Sequence, residues 1–239
     1  MATATMTPRK QGGRSTVVAK AVMAVTGLIM IGFLLIHMYG NLKIFSGAEA
    51  FNSYSAWLRE AFYPILPHQG LLWILRVVLV LSVLLHMWSA FSLWSRDNKA
   101  TGGGRRYASS RAGKGLQRSF ASRTLRWGGV IIALFVVFHI LHFTAYIIRP
   151  GGMPTDTPYD RVMIGYSPQN WWITLIYVVA LVMLLFHLRH GIWSALTTLG
   201  ANTSVKARKT LDIIAWVVAI VIIGGFLLTP IAVLTGIVS

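Results

Sequence analysis

The chain has 239 residues, of which 55% are hydrophobic and only 12% are charged, and its formal net charge is +16. This composition is too apolar for an ordinary soluble domain and favours an integral membrane protein. The chain has no cysteine, which excludes disulfides, a cysteine-ligated iron–sulfur cluster and covalently attached haem. A redox centre held by this chain therefore needs histidine, methionine or tyrosine ligands.

Five apolar segments are each long enough to cross about 30 Å of hydrocarbon as a helix. The predicted spans I to V cover about 17–39, 71–93, 125–148, 171–199 and 211–237. Residues 1–16 form a basic N-terminal segment, and span I is too long for the apolar core of a signal peptide, so we interpret it as retained. The sequence predicts an all-α, integral membrane bundle of five transmembrane helices, with residues 17–239 as one membrane domain.

Lysine and arginine are distributed unequally between the two ends of the predicted spans. Sixteen lie in the N-terminal segment (with the start of span I) and in the connections 95–126 and 201–210, against four in the two opposite connections. The positive-inside rule then predicts a cytoplasmic N-terminus and a C-terminus outside. Topology explains the basic surplus without nucleic acid, and it is compatible with an acidic soluble partner on the inner face.

Histidines occur inside four of the five spans, although an ionisable group there costs roughly 2.5–3.5 kcal/mol on insertion scales. They are His37 in span I, His86 in span II, His139 and His142 in span III, and His187 and His190 in span IV. With alternating span direction and a rise of about 1.5 Å per residue, spans I and III carry histidine in the outer half and spans II and IV in the inner half. The two levels are separated by roughly 15 Å.

Two facing histidines at each level are what a haem iron with two axial imidazoles requires. Zinc would also favour cysteine or carboxylate ligands, and we find neither in the interior of the spans. The competing interpretation makes each histidine an interhelical hydrogen-bonding residue. Since one iron takes one ligand from each helix, one member of each doublet is expected to be a hydrogen-bonding neighbour or to contact a haem propionate or a quinone.

Two arginines also lie inside predicted spans. Arg76 is about one turn inside the outer end of span II, and Arg189 is in the inner half of span IV. Each could extend its guanidinium to the membrane interface. Alternatively, each could bind a haem propionate, which is anionic and needs a cation in a low-dielectric environment.

Four short motifs occur in order along the chain: FLLIHMYGNL at 33–42, LHMWSA at 85–90, FHILHF at 138–143 and HxxxGIWSAxxxxG at 187–200. Together with the five-span layout, they resemble the single-subunit, dihaem cytochrome b membrane anchor of succinate dehydrogenase and fumarate reductase, the succinate:quinone oxidoreductases. The resemblance extends over about residues 15–235.

This resemblance implies two b-type haems. His37 and a span III histidine would bind the outer haem, and His86 and a span IV histidine the inner one. The family pattern favours His139 and His187 as the ligands, with His142 and His190 as alternates.

The resemblance also implies partners and a location. A flavoprotein that oxidises succinate and an iron–sulfur subunit would dock on the cytoplasmic face of a bacterial cytoplasmic membrane. Electrons would pass through the haems to menaquinone or ubiquinone, as a step of the tricarboxylic acid cycle and the respiratory chain. Succinate chemistry itself would not occur in this chain.

Some dihaem relatives have an acidic residue between spans I and II at an outer quinone site. Glu60 is the comparable residue here, and Tyr54, Trp57 and His68 could line the same pocket. A solvated loop carboxylate is an equally good interpretation of Glu60.

Two other functions remain open from the sequence. The chain could be the b-type cytochrome anchor of another membrane dehydrogenase, of the hydrogenase or formate dehydrogenase type. It could also be a haem-free, proton-linked transporter that uses its intramembrane histidines and arginines.

Overall fold

Seven α-helices account for most of the chain in the computed structural model, which describes residues 16–100, 116–150 and 157–238, with side chains for 16–99, 125–150 and 157–238. The helices are α1 (Thr16–Leu42), α2 (Gly47–Glu60), α3 (Gly70–Ala100), α4 (Leu116–His139), α5 (Pro158–Gly165), α6 (Trp171–Thr198) and α7 (Val205–Leu234). Five segments are long and apolar enough to cross a membrane, and they lie in α1, in α3, in α4 with the turn that follows it, in α6 and in α7. No strand occurs in the described ranges. The predicted all-α bundle of five spans is therefore confirmed.

The bundle is built around α6 and α1. Helix α6 packs against α7, α1 and α4, and α1 packs against α3, α6 and α7. Alanines at the contact between α6 and α7 allow a close approach: Ala215 and Ala219 of α7 are fully buried beside Leu188 and Ile192 of α6. Small residues are the usual means by which membrane helices approach closely, because no hydrophobic force drives helices together in lipid.

Large apolar side chains cover the outside of the bundle. Val80 of α3, Leu134 of α4 and Val217 of α7 are each more than half exposed. This pattern is the reverse of a soluble helical domain, in which the polar face is turned outward. It fits helices whose outer faces contact lipid.

The short helices α2 and α5 lie at one end of the bundle. They contact each other, and the backbone N–H of Tyr159 donates a hydrogen bond of 3.1 Å to the Asn52 side chain. The connection 41–70 therefore contains a helix that the sequence prediction treated only as a connection. Thr157 caps α5, since its hydroxyl accepts a hydrogen bond from the Asp160 backbone N–H.

Several helix boundaries differ from the predicted spans: α3 continues to Ala100, not about 93, and α4 begins at Leu116, not about 125. Helix α4 ends at His139 and continues as a π-helical turn over Ile140–Thr144, whereas the apolar pattern predicted a helix to about 148. The backbone then reaches a positive φ of 55° at Tyr146, which ends the helix. Helix α7 begins earlier than predicted, because Ser204 caps its first turn by accepting from the Ala207 N–H at 3.0 Å. The basic segments 1–15 and 101–115 lie outside the described residues.

Candidate functional site: two histidine pairs between the helices

The structure brings together His37 of α1 and His139 of α4. Their ring centroids are 5.8 Å apart, and the ring planes are nearly perpendicular, at 82°. Phe33 stacks on His37 at 5.2 Å, and Phe226 of α7 packs against the same imidazole at 5.6 Å. We call this contact the outer pair. It joins spans I and III, which were predicted to carry histidine in the outer half of the membrane.

A second contact joins His86 of α3 and His187 of α6, with ring centroids 6.2 Å apart. A glycine lies against each of these rings. A Cβ on Gly27 of α1 would lie 3.5 Å from Cε1 of His86, and a Cβ on Gly129 of α4 would lie 3.7 Å from Cε1 of His187. We call this contact the inner pair. Each imidazole therefore packs against a neighbouring helix at a position without a side chain, His86 at Gly27 and His187 at Gly129.

The glycine contacts fix the distance between the two levels. Gly27 marks the inner pair on α1, and His37 of the outer pair follows ten residues later on the same helix. Gly129 and His139 are also ten residues apart on α4. Ten residues of α-helix span about 15 Å. Two independent helices therefore give the separation that the sequence predicted.

The helices of each pair do not pack closely against each other. In the part of the chain with described residues, α4 packs on α6, and α3 packs on α1 and α2. The two histidine contacts thus join helices that make few other contacts with each other. The Cβ positions of Gly32 on α1 and Gly128 on α4 have no atom within 4 Å.

Hydrogen bonds orient the ring of His86. Its Nδ1 lies 3.2 Å from the backbone carbonyl of Met23 and 3.4 Å from the Thr26 hydroxyl, which itself donates to the carbonyl of Val22. Only Nδ1–H can satisfy a carbonyl oxygen, so His86 is protonated at Nδ1 and its Nε2 carries the lone pair. A metal-bound histidine usually donates its other N–H to such an acceptor.

The Nδ1 atom of His187 is buried and has no hydrogen-bond partner. A buried polar atom without a partner is rare, and it points to an additional group that the polar atom serves. His187 therefore differs from an ordinary interhelical hydrogen-bonding residue, which would have its partner in place.

The Nδ1 atoms of His139 and His142 share one partner on α6. The hydroxyl of Tyr177 lies 3.1 Å from the first and 3.0 Å from the second. His142 belongs to the π-helical turn and is buried, with its ring centroid 4.0 Å from that of Phe143. The turn widens the backbone at this point, and such turns occur frequently at functional sites.

The second histidine of each doublet is not a member of the pairs. Among the described ring contacts, neither His142 nor His190 meets a histidine of another helix. His190 packs instead against Trp193 of its own helix, at 6.4 Å. His142 contacts Tyr177 and Phe143.

The spacing of the pairs can be compared with what a haem iron requires. Two imidazoles that bind one metal from opposite sides, with metal–nitrogen bonds of about 2 Å, hold their ring centres roughly 6 Å apart. The observed centroid distances are 5.8 and 6.2 Å. The described residues contain no group of three or more His, Cys, Asp or Glu side chains that could hold a metal ion. A haem needs only two protein ligands, since its porphyrin completes the coordination.

Arg189 has a carboxylate partner that the sequence analysis did not assign. It forms an ion pair with Asp212 of α7, and its guanidinium lies over the Trp216 ring at 5.4 Å. One of its terminal nitrogens is therefore already engaged. Arg76 is exposed and lies over the Trp73 ring at 5.0 Å. The described contacts bring neither guanidinium to the histidine pairs.

The predicted quinone-site residues form two small clusters. In one cluster, Glu60 and His68 hydrogen-bond at 2.6 Å, and Tyr63 stacks on His68 at 4.5 Å. Both side chains of the hydrogen bond are more than half exposed.

In the other cluster, Tyr54 stacks on Trp57 at 6.0 Å and meets Tyr39 of α1 edge-on at 5.8 Å. Tyr54 also lies against Gly40, where an added Cβ would be 3.0 Å from its ring. Tyr63 and Tyr39 were not among the predicted residues, although aromatic residues beside a span end are a usable signal.

Comparison of the chain with protein-family models, with curated proteins and with solved structures finds no match. The candidate site therefore depends on the sequence motifs and on this geometry.

Proposed function

We propose that the chain is the dihaem cytochrome b membrane anchor of a succinate:quinone oxidoreductase. The observation that carries the haem part is the presence of two interhelical histidine pairs, at the spacing of axial ligands, on two levels about 15 Å apart. The succinate:quinone part depends on the resemblance of the four histidine-containing motifs. In this proposal His37 and His139 hold the outer haem, and His86 and His187 hold the inner one.

The chain's residues would keep both sites dry and fixed. The carbonyl of Met23 orients His86, and the hydroxyl of Tyr177 orients His139. The rings of Phe33 and Phe226 exclude water from His37. When bound, the two haems would supply one-electron transfer between the two levels of the membrane.

Charge at one end of the bundle supports the proposed orientation. Arg96 and Lys99 lie in the last turns of α3, and Arg126 of α4 forms an ion pair with Asp97 at 2.5 Å. Arg96 also donates to Thr16 at the start of α1. This basic end is the one nearer the inner pair. Under the positive-inside rule it faces the cytoplasm, where an iron–sulfur subunit and its flavoprotein would dock.

A reduced-minus-oxidised absorption spectrum of the purified protein, with haem counted per chain, tests the haem assignment. We expect b-type bands and two haems per chain. A protein without b-type haem would contradict the proposal and favour the haem-free, proton-linked transporter, in which Arg189 and Asp212 would be the charged pair.

Co-purification tests the identity of the partner. A flavoprotein and an iron–sulfur subunit with succinate:quinone activity are expected, together with a quinone that binds this chain. Recovery of hydrogenase or formate dehydrogenase subunits would instead identify the anchor of another dehydrogenase. Since the haem spectrum would be the same, only the partners decide between these assignments.

A further inference from the structure

The hydroxyl of Tyr177 is the centre of a small buried network. It lies between the Nδ1 atoms of His139 and His142, at 3.1 and 3.0 Å, and it also hydrogen-bonds to Tyr166. The two histidines come from the end of α4 and its π-helical turn, whereas Tyr177 is on α6. One side chain of α6 thus contacts both members of the doublet.

The protons of this network can be assigned by counting donors and acceptors. A phenol has one proton and two lone pairs, so Tyr177 can donate to only one of the two imidazoles and must accept from the other. Tyr166 is buried, and desolvation, the neighbouring Tyr177 and the hydrogen bond to Tyr177 all raise the pKa of its hydroxyl. A hydrogen bond raises the pKa of a phenol when the phenol is the donor, so Tyr166 donates to Tyr177. Tyr177 therefore accepts two hydrogen bonds and donates one.

We propose that Tyr177 is the positioning residue that makes His139, and not His142, the outer haem ligand. It accepts the Nδ1–H of His139, which leaves Nε2 unprotonated on a ring that contacts His37. It donates its own proton to Nδ1 of His142, which fixes the opposite tautomer there. This inference rests on the proposed function, because it concerns how the chain prepares a ligand for the outer haem.

The inner pair has a corresponding acceptor of a different kind. His86 donates its Nδ1–H to the backbone carbonyl of Met23, which no substitution removes. In contrast, the acceptor at His139 is a side chain. An acceptor on the distal nitrogen makes a bound imidazole more basic and so favours the ferric iron. The outer haem can therefore be tuned through Tyr177 without any change to the inner site.

The test is a redox titration of both haems, with electron paramagnetic resonance of the ferric forms, in the purified protein. Tyr177→Phe keeps the ring and removes the hydroxyl, so we expect the outer haem potential to rise and its resonance to shift, with the inner haem unchanged. Tyr166→Phe leaves Tyr177 with one hydrogen bond fewer to accept, which strengthens its bond to His139. The outer potential should then fall. Tyr159→Phe, at a buried tyrosine that contacts Phe51, is the matched control and should move neither haem.

The outcomes separate the inference from the proposed function. A wild-type protein without haem would contradict both the proposed function and the inference. Two haems whose potentials are the same in wild type and Tyr177→Phe would overturn the inference alone. Loss of only the outer haem in Tyr177→Phe would support it. If Tyr177→Phe lost both haems, the Tyr166→Phe variant would test the inference instead. An outer haem potential that is unchanged or raised in Tyr166→Phe would contradict the proposed proton positions.

Discussion

The two histidine doublets use their second members differently. His142 is buried in a π-helical turn and hydrogen-bonds to Tyr177, whereas His190 is half-buried and packs on Trp193. Sequence spacing alone does not distinguish these environments, because both doublets have histidines three residues apart. The difference leads to unequal expectations for their substitution.

Replacing His187 with leucine should remove the inner haem and leave the outer one. Leucine is apolar and of similar size, so it leaves no new buried polar atom and the packing of α6 is kept. The measurement is haem per chain, with a redox titration to identify which haem remains. His190→Leu on the same helix is the matched control, and it should retain both haems. If His190→Leu lost a haem and His187→Leu kept both, His190 would be the ligand and not His187.

At the outer level, His139→Leu should lose the outer haem, whereas His142→Leu should retain both. In the second variant the Tyr177 hydroxyl loses an acceptor, so we also expect a stability loss of about 1–3 kcal/mol from the unpaired group. Thermal unfolding in detergent, together with haem content, checks both results. A His142→Leu chain that keeps the inner haem and loses the outer one would show that His142 is the ligand.

At the scale of the helices, close packing depends on particular glycines. A Cβ on Gly225 of α7 would collide with Sδ and Cγ of Met38 on α1, whereas a Cβ on the adjacent Gly224 would meet nothing within 4 Å. Gly225→Ala should therefore destabilise the bundle by about 1–3 kcal/mol, as overpacking typically does. Thermal unfolding in detergent measures the effect. Gly224→Ala is the matched control, and it should leave stability unchanged or slightly raised, because alanine favours the helix more than glycine does. An equal loss in both variants would show that contact with Met38 is not responsible.

Helices α6 and α7 are also joined by the ion pair between Arg189 and Asp212. Both side chains are about one-third or more exposed, so we expect Asp212→Asn to cost only about 1 kcal/mol or less. The double variant with Arg189→Gln should lose less than the sum of the two single changes, since each single change already breaks the pair. Strictly additive losses would mean that the two side chains do not interact.

At the scale of the whole molecule, the hydrophobic pattern was enough to predict the five spans and the two levels of histidine. Both follow from length, alternation and helical rise, which are local properties of the sequence. The contacts of Tyr177 and Asp212 could not be found in this way, because each partner is more than 20 residues distant along the chain. The π-helical turn was also missed, since it changes hydrogen bonding without interrupting the apolar run.

The predicted topology can be tested on the intact chain. A reporter that is active only in the cytoplasm should work when fused to the N-terminus, and one that is active only outside should work at the C-terminus. The reason is the excess of lysine and arginine at the inner end of the spans. The opposite reporter activities would show that the bundle has the inverted orientation, with the inner histidine pair nearer the outside.

The matching spacing from glycine to histidine on α1 and α4 has a consequence for the architecture. His86 follows His37 by 49 residues, and His187 follows His139 by 48, with one short helix within each interval. The first six helices thus repeat one order of elements, a long helix, a short helix and a long helix, with histidines at matching positions. Each pair joins the matching histidines of the two stretches. Neither half of the chain can complete a site alone, and α7 is the one described helix without a counterpart.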